Sequence, residues 1–295
     1  MIEGGAPAWI CVQRSASRPP LNEAGLVLAA VAIEHRIEWD GHGWGLWVAP
    51  ESSAAAGAEL AAYRAENAPR SQPSRPRPEF IDSGWAGVIG YLLVIWSLPT
   101  LQVSFPFALD WSDAGTLEAG RVMAGEWWRT VTALTLHVGL GHLAANSLFG
   151  ATFGLLLGRH LGSGLAWLLI VVCGAVANVC NAAIEPADFR AIGASTATFA
   201  ALGLLAGFVW RRGYYGATTW KRSVAPVFAA IALFAYTGIG DEQTDIFGHL
   251  FGLTSGLCCG IVVAHLDVRR LGRIGQLLSG TAALGIIVTA WWLAG

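Results

Sequence analysis

The sequence predicts an all-α polytopic membrane protein preceded by a small soluble α/β unit. Three observations carry this prediction. The 295 residues are 54% hydrophobic and only 13% charged, with a mean hydropathy of +0.52, more apolar surface than a water-soluble fold can hide. The apolar residues gather into seven runs free of Asp, Glu, Lys and Arg, each near the ~20 residues that a bilayer core demands. A proline-rich stretch separates these runs from an N-terminal segment in which charged and apolar residues are mixed. A net charge of −2 and a pI near 6.4 give no basic footprint for nucleic acid. The 14 Trp and 37 Gly suit interfacial belts and close helix packing.

Residues 1–67 predict a βαββα unit: an apolar stretch at 9–12, a helical pattern at 22–33, strand-like pieces at 36–40 and 43–48, and a helix at 50–67. Residues 68–83 form a linker, because Pro69, Pro73, Pro76 and Pro78 exclude both helix and strand. The N-terminus has no basic-then-apolar signal pattern, which predicts that it is not cleaved or exported by that route. Membrane spans are expected at 84–103, 136–158, 165–184, 192–210, 224–239, 246–265 and 274–295, making 84–295 a seven-span domain. The second carries His137, His142 and Asn146, and the fifth is short. Cys11, Cys173, Cys180, Cys258 and Cys259 have no zinc or redox spacing and read as small hydrophobes. No metal or cofactor is implied.

Basic residues set the orientation. With the N-terminus cytoplasmic, the inner connections hold Arg159, Arg211, Arg212, Lys221, Arg222, Arg269, Arg270 and Arg273, and the outer ones only Arg121, Arg129 and Arg190. The expected topology is therefore N-terminus inside and C-terminus outside. Spans two, four and six then begin on the outside. His142, Asn146, Ser195 and His249 lie within a few residues of those starts, so four polar groups share one depth.

A serine hydroxyl becomes a nucleophile when a neutral imidazole takes its proton. Ser195 is the candidate nucleophile and His249 the candidate general base and acid. Glycines at 248, 252, 256 and 260 put a smooth stripe on the sixth span, along which another helix can approach. Ser195 falls in the first turn of its helix, where backbone amides lack intrahelical partners, and Gly193 removes bulk beside it. His142 and Asn146, four residues apart on one helical face, can both donate to an oxyanion. His137, five residues before His142, points elsewhere on a helix and is given a structural role.

At this point the chain resembles the rhomboid family of intramembrane serine proteases. Gly125-Glu126-Trp127-Trp128-Arg129 is similar to the family's Trp-Arg motif in the first loop. The stretch from His137 to Asn146 resembles its His and Asn pattern, Gly193-Ala194-Ser195-Thr196 its nucleophile motif, and Gly248-His249-Leu250-Phe251-Gly252 its catalytic-histidine motif. The resemblance implies a six-helix core plus one C-terminal helix and a Ser195/His249 dyad with no third acid. It further implies an oxyanion hole from the Ser195 amide, His142 and Asn146, supported by Gly193, Phe199 and Gly252. The implied reaction is cleavage of a peptide bond in or near the transmembrane segment of a membrane-protein partner in the lipid bilayer. Thr196, Gly248 and Phe199 depart from residues common in the family at these places; Phe199 can pack on the His249 ring but lacks a hydroxyl.

Taken singly, these residues have plainer readings. Serines in Gly/Ala-rich membrane helices are more often packing residues, and Trp127, Trp128 and Arg129 fit an interfacial belt with a snorkelling cation. Asp245, Glu185, Asp188 and Arg190 read as solvated loop charges. Competing functions are a transporter with proton-relay histidines and an inactive rhomboid-like escort protein. The transporter is disfavoured because no repeats are visible and the polar residues sit at one end of the spans. Retention of Ser195 and His249 disfavours the escort. Water must reach the site, so a polar cavity is expected between spans two, four and six, under a mobile cap from the loop between spans five and six. The N-terminal composition, unlike a transit peptide, favours a bacterial cytoplasmic membrane.

Overall fold

A computed structural model describes residues 9–68, 80–104, 109–214, 224–238 and 244–295. Most of the expected linker, and most of the loop expected to act as a cap, lie outside the described residues. The chain divides into two compact units, Met1–Ser74 and Arg75–Gly295.

The first unit has the order β1 (Ile10–Ser15), α1 (Pro19–Ala30), β2 (His35–Trp39), β3 (Trp44–Val48) and α2 (Ser53–Glu66). β3 is central and pairs antiparallel with both neighbours, giving the order β1-β3-β2. α1 starts three residues earlier than the apolar pattern suggests. Pro19 opens it, at a position where a missing N–H costs nothing. The β2–β3 connection is closed by Asp40, whose side chain accepts from the His42 and Gly43 amides, and Arg14 of β1 pairs with the same carboxylate. Leu21, Ala24 and Leu28 of α1 and Ala56 and Leu60 of α2 bury against Leu46 and Val48 of β3.

In the second unit a helix covers each apolar run: α3 (Trp85–Ser104), α7 (Leu140–Leu161), α8 (Ser163–Ile184), α9 (Ser195–Arg212), α10 (Ala225–Thr237), α11 (Ile246–Val263) and α12 (Gly272–Ala294). Three short helices, α4 (Trp111–Gly115), α5 (Ala119–Met123) and α6 (Arg129–Thr132), lie between α3 and α7. By length and composition, Leu140–Leu161, Ser163–Ile184, Ile246–Val263 and Val268–Ala294 can each cross a membrane, while Ala225–Thr237 is a shorter apolar helix. α7 begins at Leu140, not at 136, because Gly139 is fully extended (φ −176°, ψ 174°) and breaks the helix there.

α9 is the central helix: 13 of its 18 residues are buried, from Thr196 to Val209. Its tightest neighbour is α11. A Cβ added to Gly252, Gly256 or Gly260 would collide with the carbonyls of Thr196, Ala200 and Leu204 respectively. Gly203 and Gly207 of α9 stand in the same relation to the Leu253 and Leu257 carbonyls. Both series advance by four residues in the same direction, so the helices run parallel, backbone against backbone. Gly248 is not part of this seam, because a Cβ there would meet Asp245 of its own turn.

Adding one methyl to the seam forces the helices apart, at a cost of about 1–3 kcal/mol. Gly256→Ala should therefore lower the thermal unfolding midpoint in mild detergent. Gly285→Ala, in α12 where an added Cβ meets nothing, should not lower it.

Candidate active site

Because α9 and α11 are parallel, their first residues lie at the same end of the seam. Ser195 is the first residue of α9, and His249 lies in the first turn of α11. The His249 imidazole is 7% exposed and held at both nitrogens. Nδ1 lies 3.0 Å from the Gly238 carbonyl at the end of α10, and Nε2 lies 2.8 Å from Ser195 Oγ. A carbonyl only accepts, so Nδ1 carries the proton and the Nε2 lone pair accepts from the serine hydroxyl. The Phe199 ring, one turn beyond Ser195, packs with its centroid 4.6 Å from the imidazole, and Phe234 of α10 packs edge-on behind it. Gly252, by lacking a Cβ, admits the Thr196 carbonyl.

His142 and Asn146 of α7 join this pair around a cavity of about 890 Å³. Gly193 adopts φ +143°, where side chains are rare. A Cβ on it would lie 2.6 Å from His142 Cε1 and 3.4 Å from Ser195 Oγ, so glycine lets the imidazole approach the hydroxyl. Asn146 is 4% exposed, and its Nδ2 has no hydrogen-bond partner among the described residues. Its backbone carbonyl accepts from Tyr91 of α3 at 2.8 Å, which fixes its depth. A buried, unpaired amide donor costs stability and is available to an incoming oxygen. The Ser195 amide, at the first position of α9, has no intrahelical acceptor.

His137 differs from the helical-wheel expectation. It precedes α7 on extended chain, so its ring packs edge-on against His142, centroids 5.4 Å apart, and does not point away.

Two charges also differ from their plain readings, whereas Arg190 keeps the solvated position expected of it, with its side chain half exposed. Arg129 is not a snorkelling cation. It is 2% exposed and donates to the Asp113 carbonyl (2.8 Å), the Thr116 carbonyl (2.7 Å) and the Glu126 carboxylate (2.6 Å). Arg190 pairs with Asp113 at 2.8 Å. Asp245 is half-buried: it caps α11 by accepting from the Gly248 amide at 2.8 Å and takes further hydrogen bonds from Asn181 of α8. The contacts of Arg129 with the Asp113 and Thr116 carbonyls, and of Asp245 with Asn181, carry no sequence pattern because the partners are 13 to 64 residues away.

The segment before Ser195 is clamped by the loop between α3 and α7. β4 (Leu117–Glu118) pairs antiparallel with β5 (Arg190–Ala191), and the Ala119 and Gly120 amides donate to the Phe189 and Ala187 carbonyls. The Gly193 amide donates to Ala133 at 2.9 Å. Arg129 holds α4 and the Thr116 turn beneath this strand pair, so its fork bears indirectly on where Ser195 sits.

Fold and site together define a multi-pass helical membrane protein with a partly buried serine–histidine contact in the wall of a cavity. Residues 124–266 of the membrane unit match the Rhomboid domain, so that stretch is rhomboid-like. The chain is 28% identical over 188 residues to YdcA of Bacillus subtilis (strain 168), which bears a rhomboid protease name; the match covers 63% of this chain and 91% of that protein. It is likewise 28% identical to Rhomboid protease GluP of the same organism, covering 59% of this chain and 33% of GluP. Rhomboid-like protease 2 of Toxoplasma gondii is 28% identical, covering 48% of this chain and 49% of that protein. The chain thus spans only a third to a half of the length of the latter two.

The loop clamp predicts an acid response. Burial works to raise the Glu126 carboxyl, but hydrogen bonds and positive charge from Arg129 and Arg121 outweigh it and hold the group below its ordinary value of 4.5. A carboxyl depressed by folding contributes stability that is present above its unfolded pKa and is lost as pH falls through the folded one. The thermal midpoint of the wild-type protein should therefore drop as pH falls below about 4.5. Glu126→Gln should be less stable at neutral pH, and the gap between the two proteins should close on acidification.

Proposed function

We propose that this intramembrane protease is a serine endopeptidase that uses Ser195 and His249 as a dyad. The observation that carries the reading is the 2.8 Å contact between Ser195 Oγ and His249 Nε2, beside an unpaired Asn146 amide in one cavity. His249 Nε2 takes the serine proton as Oγ attacks the peptide carbonyl. The oxyanion forms between the Ser195 amide, the Asn146 Nδ2 and the His142 ring, donors held in place before the reaction. His249 then protonates the leaving amine, and a water activated by the same nitrogen hydrolyses the acyl-enzyme. The Gly238 carbonyl holds Nδ1–H and so keeps the tautomer that this sequence needs, a task a carboxylate performs in three-residue triads.

The substrate is a membrane protein cut in or near its transmembrane segment. The distribution of Lys and Arg supports a cytoplasmic N-terminus and an outward-facing site. Residues 1–67 form a separate soluble domain, 68–83 a linker and 84–295 a seven-span membrane domain.

Purified protein incubated with a single-span substrate carrying small residues near its outer end should cleave it. Ser195→Ala and His249→Ala should abolish cleavage, and Asn146→Ala should reduce kcat by about 10²–10³. Cleavage that survives Ser195→Ala, or labelling of that variant by a serine-directed fluorophosphonate, overturns the assignment.

A further inference from the structure

We propose that Asp245 and Asn181 form a positioning pair that sets the first turn of α11, and with it His249, against Ser195. The inference rests on the dyad reading above and adds two residues to it.

Asp245 holds that turn twice. Its side chain caps the helix through the Gly248 amide at 2.8 Å, and its backbone carbonyl accepts from the His249 amide at 3.1 Å. A cap of this kind secures the helix to its own first turn but does not say where that turn sits in the bundle. Asn181 supplies the missing reference. It lies near the end of α8, is 0% exposed, and donates from Nδ2 to both carboxylate oxygens of Asp245 at 3.0 and 2.8 Å. Its Oδ1 has no hydrogen-bond partner among the described residues, so the bonds to Asp245 are the only ones this side chain makes there. Buried amides are costly to leave unpaired, and a charge-assisted bond from a fully buried donor ties α11 to α8 at one height.

The pair does not complete a triad. His249 Nδ1 is occupied by the Gly238 carbonyl, so the carboxylate does not touch the imidazole. Asp245 acts through the helix start on which His249 stands. Small displacements of a base can cost about 10²-fold in rate, so loss of the tie is read at Ser195 even in folded protein.

The test compares Asp245→Ala, Asn181→Ala, the double variant and the exchange Asn181→Asp/Asp245→Asn, the last because Asn also caps helices well. Readouts are the rate of fluorophosphonate labelling per folded molecule, and kcat and KM on a single-span substrate. Each single variant should slow labelling and kcat by about 10- to 100-fold, with KM within about twofold. The double variant should be no worse than the worse single, because the two residues act as one unit. The exchange should recover about tenfold of the loss. Folded single variants that label at the wild-type rate overturn the proposal, as do losses that multiply in the double variant. If an alanine variant fails to fold, the exchange decides: recovered labelling supports the pair, and folded but unlabelled protein rejects it. A wild-type protein that resists labelling sinks the dyad reading and this proposal with it, whereas wild-type labelling with unaffected single variants sinks this proposal alone.

Discussion

Backbone contact between α9 and α11 is the constraint from which the site follows. Three glycines of one helix lie against three carbonyls of the other, and two glycines return the contact in the opposite sense. In a bilayer there is no hydrophobic gain from bringing two apolar helices together, so close van der Waals packing must supply the attraction. Glycine allows that packing, and its four-residue period allows it in parallel register. The register puts the two helix starts, with Ser195 and His249, side by side.

Around this seam the remaining elements act as restraints on a few atoms. α10 contributes a carbonyl to His249 Nδ1, α8 contributes the Asn181 amide, and α7 presents His142 and Asn146 across the cavity. The loop between α3 and α7 contributes a strand that pairs with β5, and a buried arginine that keeps the strand in place. Polar groups that are expensive in the interior are thus concentrated at one end of the bundle. Both His137 nitrogens, Asn181 Oδ1 and Asn146 Nδ2 have no hydrogen-bond partner among the described residues, and Asn146 lines the cavity beside Ser195.

The helical membrane unit and the βαββα order were legible in the sequence because hydropathy and apolar period are local signals. The Ser195, His249, His142 and Asn146 set was legible because motif spacing on helices carries over into space. The surroundings of Arg129 and Asp245 were not legible, for one shared reason. Arg129 gains its burial from carbonyls of Asp113 and Thr116, 16 and 13 residues away, and Asp245 gains its anchor from Asn181, 64 residues away. Neither distance has a periodic signature. His137 was misjudged because Gly139 breaks the helix between it and His142, and a wheel drawn through that break has no meaning.

The pairing of β4 with β5, together with the 54-residue separation of Ser195 from His249, also bears on how the chain is made. On the proposed dyad, a nascent chain inserted as far as α9 holds Ser195 and the strand pair before it, but not His249, Asp245 or the Gly238 carbonyl. The proposed dyad is then complete only once α11 has docked, and latency before that point follows from chain order.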